Sequence, residues 1–81
     1  MVSPYGKLTI LVAEDSKPMR GLVREILDAL GVGTILEAAD GEAALKHLGT
    51  HAVDIVILDW NMELYRGTVM RQFAAPVTLP I

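Results

Sequence analysis

One stretch limits the possible folds more than any other: Val53 to Asn61, VDIVILDWN. Val53, Ile55, Val56, Ile57 and Leu58 form an apolar run interrupted only by Asp54. Four of these residues are β-branched, which suits a pleated strand. A strand that is apolar on both sides is covered on both faces, as in parallel α/β sheets. Asp59 closes the run. An earlier run, Leu8 to Ala13 (LTILVA), closes the same way, in Glu14 and Asp15. Open α/β sheets bind their ligands just beyond the carboxyl ends of the strands. Two strands that each deliver acid there imply one acidic pocket between neighbours.

The segments around these runs complete an alternating pattern. Ser16-Lys17-Pro18 reads as a helix start, with Ser16 or Lys17 near the cap. Pro18 falls in the first turn, where its missing N–H costs little. Ser16 reads as a cap rather than a nucleophile, since no base is placed for it. Met19, Leu22, Val23, Ile26, Leu27 and Leu30 then recur at spacings of three and four and form one apolar core stripe. Arg20, Arg24, Glu25 and Asp28 fall on the other side. Gly31 suits the position after a helix, which often needs positive φ.

Thr34 to Ala38 (TILEA) reads as a second strand. Asp40 can cap a second helix through Glu42, Ala43, Ala44, Leu45 and Leu48, ending at Gly49-Thr50-His51. The order β-α-β-α-β in short units means a doubly wound parallel sheet with right-handed crossovers. Met1 to Lys7 reads as a frayed leader. Gly67 to Ala75 (GTVMRQFAA) has room for about two turns of helix with Val69, Met70 and Phe73 on its apolar face. Val77-Thr78-Leu79, between Pro76 and Pro80, is a candidate short fourth strand.

Composition removes several function classes. The 81 residues, 1–81, allow a single domain. A hydrophobic content of 52% argues against disorder and leaves apolar surface for which one small copy has little cover. A net charge of -3 without a basic block excludes a phosphate-reading nucleic-acid surface. Without cysteine there is no disulfide framework and no thiolate metal site, which fits a reducing cytoplasm. MVSPYGK lacks the marks of a signal peptide. No apolar run approaches the roughly 20 residues of a membrane span.

Several stretches together resemble one family. They are Leu11-Val12-Ala13-Glu14-Asp15-Ser16, Met19-Arg20, Glu37 to Leu45 (EAADGEAAL) and Leu58-Asp59-Trp60-Asn61-Met62. An acidic pair after the first strand, joined to D-x-N-M after the third, resembles the receiver domain of response regulators, nearest the single-domain chemotaxis type. The likeness runs from about Leu8 to Met62, and Gly67 falls at the family's loop glycine. It implies a partial flavodoxin-like sheet of strand order 2-1-3, incomplete relative to the family's five strands and five helices. It also implies a phosphoacceptor at Asp59, served by a histidine kinase. Mg²⁺, or Mn²⁺, is implied at Glu14, Asp15, Asp59 and the backbone carbonyl of Asn61. The chain is then no enzyme, with at most self-catalysed phosphotransfer and dephosphorylation.

The chain also departs from the family. Glu63 stands where the family usually has proline, and the hydroxyl after the fourth strand and the lysine after the fifth have no counterpart. The missing lysine favours a second reading, an unphosphorylated interaction or dimerisation module; the acidic trio favours the first. His47 and His51, at i and i+4, have a spacing that a metal accepts, but a solvated helix end explains them with no third ligand nearby. Lys17 reads as a surface charge, with approach to the acidic pocket as the alternative. With order 2-1-3, Val53 to Leu58 is an open edge unless Val77 to Ile81 pairs beside it, and Pro76 and Pro80 remove two donors from that segment. The expectation is a homodimer or higher assembly through the third strand and the segment after Gly67.

Trp60, the single tryptophan, adjoins Asp59 and reports on the expected metal. Titration with Mg²⁺ should change its emission, and Asp15→Asn combined with Asp59→Asn should abolish the change. A double variant that titrates like the parent would put the metal elsewhere.

Overall fold

The computed structural model describes residues 3–58 and the backbone of residues 77–80. The elements run β1 (Thr9–Ala13), α1 (Lys17–Ala29), β2 (Thr34–Ala38), α2 (Gly41–Thr50), β3 (Ile55–Leu58) and β4 (Val77–Pro80). All strand pairs are parallel and the order is β2-β1-β3-β4. Thr9 pairs with Thr34 and Ala13 with Ala38 on one side of β1, while Ile10 pairs with Ile55 and Ala13 with Leu58 on the other.

The strand period of two splits the core into two layers. Leu11, Ala13, Val56 and Leu58 point to one face and pack with Ala38, Ala44 and Val53, flanked by Leu36, Ala43, Leu45 and Leu48. That is the α2 side. Ile10 and Val12 point to the opposite face and pack with Leu27 and Val32, flanked by Leu8, Val23, Ile35, Ile55 and Ile57. That is the α1 side. The sheet is doubly wound, as the alternation of elements predicts.

Three findings differ from the sequence reading, and a fourth decides between its alternatives. The stripe on α1 is only partly core. Leu27 is buried and Val23 half-buried, but Met19, Leu22, Ile26 and Leu30 are 41–53% exposed. At about 100° per residue the six residues cover roughly 140° of the helix, more than one sheet face takes up. Periodicity shows that a helix is amphipathic without showing how much of the apolar arc is covered.

The leader is tied down from Ser3 onward. Ser3 Oγ donates to the Leu30 carbonyl at 2.7 Å, and the Tyr5 carbonyl accepts from Leu8 N–H at 3.1 Å and Gly33 N–H at 3.2 Å. Gly31, with φ of 81°, turns the chain out of α1. Gly33 lies so near the Gly6 carbonyl that a Cβ there has no room.

β3 begins at Ile55, two residues later than the apolar run suggests. Asp54 explains the offset: its carboxylate accepts from Thr9 N–H at 2.8 Å and its own N–H donates to the Thr9 carbonyl at 2.9 Å. The one polar residue in the run is a clasp on the start of β1.

β3 is not an open edge. β4 lies beside it, with Ile55 paired to Val77 and Leu58 to Pro80. An edge strand has a neighbour on one side only, so it tolerates a proline that an interior strand does not. The edge argument for assembly through the third strand therefore fails. Apart from Val77–Pro80, the segment after Gly67 lies outside the described residues.

Leu11 is fully buried at the centre of the α2-side layer. Leu11→Ala should cost about 2–5 kcal/mol in urea unfolding. Leu22→Ala on the open face of α1 should cost well under that, and equal losses would contradict the burial difference.

Candidate functional site

β1 ends at Ala13, but its ladder runs one residue further: Glu14 N–H donates to the Ala38 carbonyl at 3.0 Å. Glu14 is only 5% exposed, and among the described residues it is the one buried charged side chain. Buried carboxylates need partners. One Glu14 carboxylate oxygen accepts from Ser16 N–H at 3.2 Å, within the tight loop that leads to α1. Asp15, the next residue, is exposed. One acid is thus fixed inside the loop and its neighbour faces solvent.

Ser16 caps α1, its Oγ accepting from Met19 N–H at 3.4 Å, and Pro18 lies in the first turn. Lys17 is exposed, as a surface charge should be. Asp40 caps α2 with a shorter bond, accepting from Ala43 N–H at 2.8 Å.

Arg20 is the residue that helix periodicity misplaced. Its side chain is 15% exposed. NH1 donates to the Glu14 carbonyl at 2.9 Å, and Nε lies 3.4 Å from Oε1 of Glu37. Arg24 takes the other Glu37 oxygen at 3.1 Å and reaches the Ile35 carbonyl at 3.4 Å. Each oxygen of Glu37 therefore meets its own arginine. A signal was present in the spacing: Arg20 lies seven residues before buried Leu27, so both share one line along the helix.

His47 Nε2 lies 3.0 Å from the Glu37 carbonyl, which ties α2 to the end of β2. The His47 and His51 rings stand 5.5 Å apart, and among the described residues no group of three or more His, Cys, Asp or Glu gathers around a potential metal. Of the four residues expected to hold a metal, Glu14 and Asp15 come together after β1; Asp59 and Asn61 lie outside the described residues. Glu14 and Asp15 supply carboxylate oxygen alone, the donor chemistry that hard divalent cations take.

A doubly wound parallel sheet with paired acids after β1 has the architecture of open α/β domains, a class that binds ligands beyond the carboxyl ends of the strands. The response regulator receiver domain model matches residues 10–75, and the chain belongs to that family. It is a receiver domain of two-component signalling. It is 46% identical over 59 residues to the virulence sensor protein BvgS of Bordetella pertussis, a match that covers 73% of this chain. BvgS of Bordetella bronchiseptica is also 46% identical, over 64 residues and 79% of this chain. The chain spans only 5% of the length of either relative. No solved structure matches it. Among the described residues no helix is long and apolar enough to cross a membrane.

The two caps differ in geometry and should differ in worth. Asp40→Ala is expected to lose about 1–2 kcal/mol in chemical unfolding, and Ser16→Ala about 0.5 kcal/mol, because its bond is long. A larger loss at Ser16 would show that the Ser16 hydroxyl does more than cap α1.

Proposed function

We propose that this receiver accepts a phosphoryl group on Asp59 from the phosphohistidine of a histidine kinase in the cytoplasm. Mg²⁺, or Mn²⁺, is held by Glu14, Asp15, Asp59 and the Asn61 carbonyl. One register supports this reading above all: Ala13 pairs with Leu58 in adjacent parallel strands. Positions 14 and 59 follow those two residues. The acid after β1 and the aspartate after β3 thus continue from the same end of neighbouring strands. The relatives are called sensor proteins, in keeping with a place in a sensory pathway.

In this reading an oxygen of the Asp59 carboxylate attacks phosphorus. The P–N bond breaks, its electron pair returns to the donor imidazole, and an aspartyl phosphate remains. A divalent cation held by Glu14, Asp15, Asp59 and the Asn61 carbonyl would supply charge neutralisation there. Glu14 brings fixed negative charge to the cation site from inside the loop, and Asp15 brings its charge from solvent. The chain is a stoichiometric acceptor rather than an enzyme with turnover, and any loss of the phosphoryl group is self-catalysed.

A second reading is favoured by the exposed residues Met19, Leu22, Ile26 and Leu30 of α1. In it the chain is an unphosphorylated interaction module that works as a homodimer or higher assembly. Acetyl phosphate with Mg²⁺, followed by intact mass, separates the two. The first reading expects one added phosphoryl group, absent without the cation and absent in Asp59→Asn. No adduct at any time point, together with a concentration-dependent dimer in light scattering, would favour the second.

A further inference from the structure

The β1–α1 loop has a support that the metal site above does not use directly. Three polar groups of Glu14 are held: its N–H by the Ala38 carbonyl, its carbonyl by Arg20 NH1 and one carboxylate oxygen by Ser16 N–H. Two of these bonds come from the backbone. The third comes from a side chain about one turn into α1. Arg20 is held in turn, because Glu37 lies 3.4 Å from its Nε. Arg24 holds the other oxygen of Glu37. A chain of charge-assisted contacts thus runs from the solvent side of α1, through the end of β2, to the backbone that carries the acidic pair.

We propose that Arg20 is the positioning residue of the acidic loop. By fixing the Glu14 carbonyl against Glu37, it sets the backbone from which the Glu14 and Asp15 carboxylates meet a divalent cation. This rests on the metal site proposed above. The physical reason is the stringency of the ion. Mg²⁺ demands near-ideal octahedral geometry, so a loop free to shift loses affinity even with every ligand present. Outer groups that orient the ligands are typically worth 10–100-fold in metal affinity. Arginine suits the task because its planar fork presents two N–H groups at fixed angles, one to each partner.

The sign of the effect separates positioning from bulk electrostatics. Arg20 is a cation beside an acidic pocket. If its charge alone mattered, its removal would strengthen the binding of another cation. If it positions the loop, its removal weakens binding. Arg24 is the internal control: it carries the same charge and meets the same Glu37, but the contact to the Glu14 carbonyl comes from Arg20.

The test is Mn²⁺ binding, with free Mn²⁺ counted by electron paramagnetic resonance and each fold checked by circular dichroism and a thermal melt. Arg20→Gln should bind Mn²⁺ about 10-fold more weakly or worse. Arg24→Gln keeps the contact to the Glu14 carbonyl and frees only one oxygen of Glu37, so it should weaken Mn²⁺ binding clearly less than Arg20→Gln does. Arg20→Lys keeps the charge without the fork and should also be weaker. If Arg20→Gln does not fold, Arg20→Lys decides alone. Parent-like or tighter binding in the folded Arg20 variants overturns the inference and leaves the metal site standing. Loss of fold in both variants also overturns it, since Arg20 is then a structural residue. A parent chain that holds no Mn²⁺ removes the metal site itself and this inference with it.

Discussion

The exclusion of water from β1 governs everything else in this domain. Leu11, Val12 and Ala13 have no exposed surface, so their backbone groups can be satisfied only by neighbouring strands. β2 and β3 provide those partners on the two sides, and α1 and α2 close the two faces. The position after an interior strand inherits that burial. Glu14 is held inside because the residue before it is, and its N–H still finds the Ala38 carbonyl beyond the last strand residue. A carboxylate is thereby placed where it would not stay without help, and the loop and α1 provide the help.

Much of this was legible in the sequence, and the reasons are specific. β-branched runs located β1 and β3, and TILEA located β2 to the residue. Asp40 announced α2, and the capping oxygen is where its residue type suggests. Gly31 marked the end of α1 by the one backbone angle that favours glycine. These are local signals, and local chemistry decides them.

What escaped was set by tertiary contact. Asp54 looked like a flaw in an apolar run and is a clasp across forty-five residues of sequence. Arg20 looked solvated because it falls outside the apolar spacing, yet the ends of β1 and β2 wait for it there. The spacing marks the whole α1 stripe as apolar, although one sheet face covers only part of it. The placement of β4 beside β3 depended on a strand that two prolines made doubtful. Of the expected acidic site, Glu14 and Asp15 lie within the described residues and Asp59 and Asn61 outside them.

The two layers are unequal, and this bears on motion. On the α2 side the core residues of β1 and β3 are sealed; on the α1 side Ile55 and Ile57 stay half-buried and α1 rests on Leu27 and Val23. Midway along α1, Gly21 has no neighbour for a side chain it lacks, and glycine weakens a helix interior. Of the two described helices, α1 is therefore the one expected to open more readily, and its amide protons should exchange through sub-global openings that leave β1 protected. Arg20 travels with that unit. Each excursion of α1 withdraws the grip on the Glu14 carbonyl, so the rigidity of the acidic loop is rationed by the lifetime of a helix.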